Sequence, residues 1–189
     1  IILLKSCGMC GFDSVCHALS SISGGGFSPR SESIIGYSNT ILWIITLFMF
    51  LAGMSFNLLY KVMSKFNPLL LFKNEEFRIY FGFVAVIALA LSFSLFTNMH
   101  YNIADSFTNA FFNVASLVSS TGFCSADYAN WDYVSKILLF TIMMFGSCAS
   151  SAGGGLKVLR WLLVFKIMKT EMIKILHPKA VFNIKIGSH

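Results

Sequence analysis

TNAFFNVASLVSSTGFC, residues Thr108–Cys124, is too apolar for a solvated loop and too short and too polar to cross a bilayer. It reads as a re-entrant hairpin. An earlier stretch, FDSVCHALSSISGGGFS at Phe12–Ser28, aligns with it at a spacing of 96 residues, sharing Ser20/Ser116, Ser23/Ser119, Gly26/Gly122 and Phe27/Phe123, with Asp13 opposite Asn109. Each copy is followed by an apolar segment carrying Met-Phe at nearly the same offset, Met49-Phe50 and Met144-Phe145. A repeat of this length is a module of hairpin plus flanking helices. One Ser/Gly-rich segment alone reads more readily as a flexible outer loop than as a pore loop; the second copy, together with the interrupted helix after it, favours the hairpin.

Each hairpin has a physical logic. Asp13 and Asn109 are expected to cap a short helix. Such a helix would turn the negative end of its dipole toward a central cavity and favour a cation there. The Ser/Thr/Gly stretch that follows offers carbonyl and hydroxyl oxygens, which can replace the hydration shell of an alkali ion. Glycine is needed because successive carbonyls turn the same way only if some residues adopt left-handed backbone angles.

Composition agrees with a lipid environment. Hydrophobic residues make up 56% of the 189 and charged residues 12%, whereas soluble domains carry about a quarter charged residues. The net charge of +6 is not interleaved with groove-reading polar residues, so no nucleic-acid partner is expected. Five cysteines, an odd number in mostly apolar stretches, argue against a disulfide framework. Cys7-Gly-Met-Cys10 followed by Cys16-His17 lacks the paired spacing of a structural zinc site. Serines, His17, His100 and several aspartates could suggest a hydrolase, yet neither Gly-x-Ser-x-Gly nor His-Glu-x-x-His occurs.

Ile41–Tyr60 runs twenty residues without a formal charge and predicts one spanning helix; Ile79–Asn98 predicts a second. A third begins near Lys136, loses its bulky residues from Ser150 to Gly155 and resumes as LKVLRWLLVFKIM. Irregular backbone at membrane depth survives only where protein or a water-filled cavity satisfies it, so the break reads as part of a pathway. It reads equally well as an ordinary loop between two short helices or a small-residue surface for close helix packing. Lys61, Lys65, Lys73 and Arg78 follow the first span, and Lys157, Arg160, Lys166, Lys169, Lys174, Lys179 and Lys185 follow the break. Both groups are therefore expected on the cytoplasmic side, with both hairpins on the outer side.

FDSVCHALSSISGGGFSP, MFLAGMSFN, FFNVASLVSSTGF and above all MMFGSCASSAGGGLKVLRWLLVFK (Met143–Lys166) resemble the membrane subunit of the Trk/Ktr potassium transporter superfamily, of the TrkH type. HPKAVFNIKIG, from His177 to Gly187, is similar to the family's linker after its third repeat. The resemblance implies an all-α integral membrane protein of helix–pore loop–helix repeats, here about one and a half of an expected four. Residues 1–65 would hold the pore helix, filter strand and second helix of one copy, 66–78 a cytoplasmic linker, 79–172 a complete copy, and 173–189 a linker toward a further repeat. By the same resemblance Ser23, Gly24, Gly25 and Gly26 form one potassium filter strand and Ser119, Ser120, Thr121 and Gly122 another. The first departs from the family pattern by placing Gly24 or Gly25 where a hydroxyl residue is more usual. Ser150, Ser151, Ala152, Gly153, Gly154 and Gly155 would form an intramembrane gate loop. Potassium is expected as the transported ion, without cofactor or covalent chemistry. The resemblance also implies a multi-pass protein of the cell membrane, the bacterial inner membrane, as a homodimer with a cytosolic nucleotide-binding regulatory subunit. The chain itself reads as a fragment of such a transporter, the alternative being a non-conducting structural or regulatory membrane subunit derived from one.

Overall fold

A computed structural model describes residues 1–99 and 101–176, so His100 and the expected linker beyond Leu176 lie outside the described residues. Along the chain run α1 (Ile2–Ser6), α2 (Gly11–Ser23), α3 (Asn39–Ala52), α4 (Phe56–Lys65), α5 (Leu69–Lys73), α6 (Glu75–Met99), α7 (Ile103–Val118), a 3₁₀ turn (Tyr128–Asn130), α8 (Tyr133–Met144) and α9 (Val158–Leu176). Among the described residues the only extended pairing is an isolated bridge between Phe145 and Leu156.

Helix α6 is the axis of the fold. Asn74 opens it, its side-chain oxygen accepting from the N–H groups of Glu76 and Phe77 at 2.9 and 3.4 Å. Its 25 residues are long and apolar enough to cross a bilayer. Tyr80, Val84, Ala88, Leu91 and Leu95 along it form one buried cluster with Ala110, Val114 and Val118 of α7 and Leu139 and Ile142 of α8. Its other side stays apolar yet exposed, at Val86, Leu89 and Phe93, as do Ile137 and Phe140 of α8. Apolar side chains on the outside as well as the inside are what a lipid solvent allows and water does not.

The first span departs from expectation. Ile41–Tyr60 is not one straight helix: α3 ends at Ala52, and α4 leaves at 102° to it after the Gly53–Ser55 break. The break is stable because its freed backbone groups find partners in the loop after α8. Gly53 O and Ala52 O accept from the N–H groups of Cys148 and Ala152 at 3.0 and 3.3 Å, and Phe56 N–H donates to Ser150 O at 2.9 Å. The third span is interrupted as expected but more widely, from the end of α8 at Met144 to the start of α9 at Val158.

The two copies interlock. Phe112, Ala115 and Phe123 of the second copy enter a cluster otherwise made by the first, with Leu4, Met9, Ile34, Ile41, Ile45 and Met49. Trp43 of α3 donates its indole N–H to Thr108 Oγ1 of α7 at 3.2 Å.

Candidate functional site

Both re-entrant helices end where the Ser/Thr/Gly stretches begin. Helix α2 closes at Ser23 on a left-handed Gly24 (φ 68°), and α7 closes at Val118 with Ser119 as its cap. Beyond them the backbone follows one pattern in both copies, with positive φ at Gly24 and Gly26 (67°) and, 96 residues on, at Ser120 (59°) and Gly122 (81°). A left-handed residue at every second position turns peptide planes in a way that an ordinary extended strand does not. Ser120 adopts this angle with a side chain attached, at some cost in strain.

The structure brings the two expected filter strands together. A Cβ added at Gly24 would lie 3.2 Å from Ser119 O, and one added at Gly26 would collide with the Thr121 carbonyl. Only glycine permits the second approach. Ser119 Oγ and Thr121 Oγ1, both buried, are 2.7 Å apart.

A matching set of side chains holds each strand from behind. In the first copy Ser20 Oγ accepts from Phe27 N–H at 2.7 Å; in the second, Ser116 Oγ donates to Phe123 O at 2.7 Å. His17 is fully buried, with Nδ1 2.8 Å from Asp13 O and Nε2 3.1 Å from Ser28 Oγ. Its counterpart 96 residues on, Asn113, donates to Asn109 O at 2.9 Å and to Ser125 Oγ at 3.0 Å. The pair is not visible as an identity between the copies, since one position holds histidine and the other asparagine. The available signal was a polar residue at the same position of two apolar helices.

Asp13 and Asn109 do not cap. The residues that precede the helices are Cys10 and Asn102, neither of which makes a side-chain cap bond. Asp13 lies within the first turn of α2 and Asn109 well inside α7, and each side chain bonds to the segment that follows the strand instead of to the helix's first N–H groups. Asp13 Oδ2 accepts from Arg30 Nε at 3.1 Å and from Tyr37 OH at 2.8 Å. Burial, and then the bond to Asp13, push the Tyr37 hydroxyl up to about 12, so it stays protonated and donating at neutral pH. Asn109 Oδ1 accepts from Ser125 Oγ at 2.8 Å.

The expected gate residues, Ser150 to Gly155, come up against the second strand at Gly153 and Gly154. Gly154 N–H donates to Ser120 Oγ at 2.9 Å, and a Cβ added at Gly153 would lie 2.9 Å from Ser119 O while striking Ser147 Oγ. Gly146 N–H to Leu156 O at 2.8 Å and Val158 N–H to Ser147 O at 3.1 Å close the loop's neck. Ala149 N–H donates to the Glu76 carboxylate, tying it to α6. Lys157, outside the expected site, reaches back into the loop.

Two re-entrant helices, each followed by a strand of alternating left-handed residues and a second helix, define an integral membrane protein of the helix–pore loop–helix class. The chain belongs to the TrkH family, described as cation transport protein, whose profile matches residues 5–189. It is 35% identical over 184 residues to the Trk system potassium uptake protein TrkH of Salmonella typhimurium, covering 96% of this chain and 38% of that protein. It is 32% identical over 188 residues to the Trk system potassium uptake protein TrkG of Escherichia coli, covering 99% and 39%. The crystal structure of the potassium transporter TrkH from Vibrio parahaemolyticus superposes with a TM-score of 0.90 at 30% identity, over 100% of this chain and 41% of that one. The chain thus spans about 38% of the length of the curated relatives it matches.

Proposed function

We propose that the chain supplies two of the filter strands and the gate of a pore that takes up potassium across a cell membrane. The observation that carries this is the repeated backbone pattern, positive φ at Gly24 and Gly26 and again at Ser120 and Gly122, at the C-terminal ends of two re-entrant helices. Carbonyl oxygens on such strands coordinate a dehydrated alkali ion, and the negative helix ends behind them stabilise its charge. Residues 23–26 and 119–122 are then the ion-binding strands, and residues 150–155 the loop that obstructs the passage below them. Residues 1–65 and 79–172 are two copies of one module joined by the linker 66–78. The names of the relatives, potassium uptake proteins, support potassium as the ion. The reading includes a bacterial inner-membrane location, a homodimer and a cytosolic nucleotide-binding subunit, all by likeness to the family.

The test is uptake. A four-repeat transporter carrying this segment should restore growth of potassium-requiring cells at low external potassium. Absence of rescue with normal membrane insertion would remove the reading.

A further inference from the structure

The oxygens of the loop already hold a cation, and it is the chain's own. Lys157 Nζ donates to Ser151 O and Ser151 Oγ at 3.3 Å, to Ser147 Oγ at 3.4 Å and, at closest range, to Gly153 O. Two carbonyls and two hydroxyls converging on one ammonium make an oxygen cage of the kind that binds alkali ions. The position gains nothing from the helix that follows. Lys157 immediately precedes Val158, the first residue of α9, where the positive end of a helix dipole disfavours a cation. The loop oxygens, not the helix, account for the ammonium's place.

The loop also divides mechanically. Residues 148–152 are fastened to the α3–α4 elbow and α6 by Cys148 N–H to Gly53 O, Ala152 N–H to Ala52 O, Phe56 N–H to Ser150 O and the Ala149–Glu76 bond. The crest, Gly153 and Gly154, is held by Lys157 through Gly153 O and by Ser120 through Gly154 N–H. Removing the ammonium takes from Ser151 O and Gly153 O the donor they share.

We propose that Lys157 is the positioning residue of the gate: its ammonium, acting as a tethered cation in the loop's oxygen cage, holds the glycine crest across the pore against the second filter strand. This rests on the pore reading above. In a four-repeat transporter carrying this segment, Lys157→Met should raise basal rubidium uptake several-fold at equal membrane abundance and leave the preference for potassium over sodium unchanged. Lys157→Arg, which keeps the charge, should stay near the parent rate. Unchanged or reduced uptake in Lys157→Met at equal abundance would overturn the proposal while leaving the filter reading intact. An Arg variant as leaky as the Met variant would overturn it too, since charge would then not be the holding element. Should Lys157→Met fail to reach the membrane, Ser151→Ala removes one cage hydroxyl with a smaller perturbation. It should raise uptake by a lesser factor, and no rise would count against the cage.

Discussion

Gly26 and Gly122 occupy equivalent positions and share a left-handed backbone, yet they face different surroundings. A Cβ at Gly26 would strike the Thr121 carbonyl of the other copy, whereas nothing lies within 4 Å of one at Gly122. Gly122→Ala should therefore incur only the left-handed penalty, on the order of 1–2 kcal/mol. Gly26→Ala adds a backbone collision and should separate the strands. Thermal unfolding of the two variants in detergent should rank Gly26→Ala as clearly the less stable, and equal melting temperatures would contradict the close approach. Ser120 offers the opposite case. Its φ of 59° is strained for serine, and Gly24 holds the equivalent place in the first copy. Ser120→Gly should thus relieve strain of about 1 kcal/mol while deleting the hydroxyl that receives Gly154 N–H at 2.9 Å. Measured together, unfolding temperature should not fall and basal rubidium uptake should rise.

At the scale of elements, the elbow between α3 and α4 and the loop after α8 form one unit, since each satisfies backbone groups the other leaves open. Gly53 sits at that elbow with Tyr80 packed so closely that an added Cβ would overlap its hydroxyl, which itself donates to Phe50 O at 3.2 Å. Tyr80 is buried and stacked on Phe50, so it has little room to move. Gly53→Ala should destabilise the protein by about 1–3 kcal/mol through overpacking. Adding Tyr80→Phe should recover part of that loss, and a double variant no better than the single one would place the strain elsewhere. Deleting residues 151–155 should raise basal flux, with reduced flux at normal membrane levels as the contrary result. The elbow also shows where reading the sequence stopped. Ile41–Tyr60 carries no formal charge and contains one glycine, so it reads as a straight span; what bends it is a set of partners nearly a hundred residues away. The repeat, by contrast, was legible, because the strands' unusual backbone angles demand glycine or small polar residues at fixed places. Asp13 and Asn109 were recognised as paired but given the wrong task, since local capping rules say nothing of contacts to Arg30, Tyr37 or Ser125.

Across the whole molecule, the two hairpin segments pack directly against each other. Phe123, which follows the second strand, is 1% exposed and packs on His17 of the first copy with ring centroids 5.5 Å apart. Phe27, its equivalent after the first strand, is 81% exposed. On the proposed reading, Phe27 inserts into a preceding repeat as Phe123 inserts into this one. Phe27→Ala in a four-repeat transporter should then destabilise assembly by about 3 kcal/mol or more, as core truncations of this size do, and a neutral effect would contradict ring-like packing. Lys166, midway along α9, pairs with Glu75 at the start of α6 at 2.8 Å and so ties the two helices together. The central claim is that residues 23–26 and 119–122 are strands of one cation filter. Its most direct test is the potassium-over-sodium preference of rubidium uptake in a four-repeat transporter carrying Gly122→Ser, where the structure leaves room for the side chain. The account predicts a marked loss of preference at normal membrane abundance; an unchanged preference would contradict it.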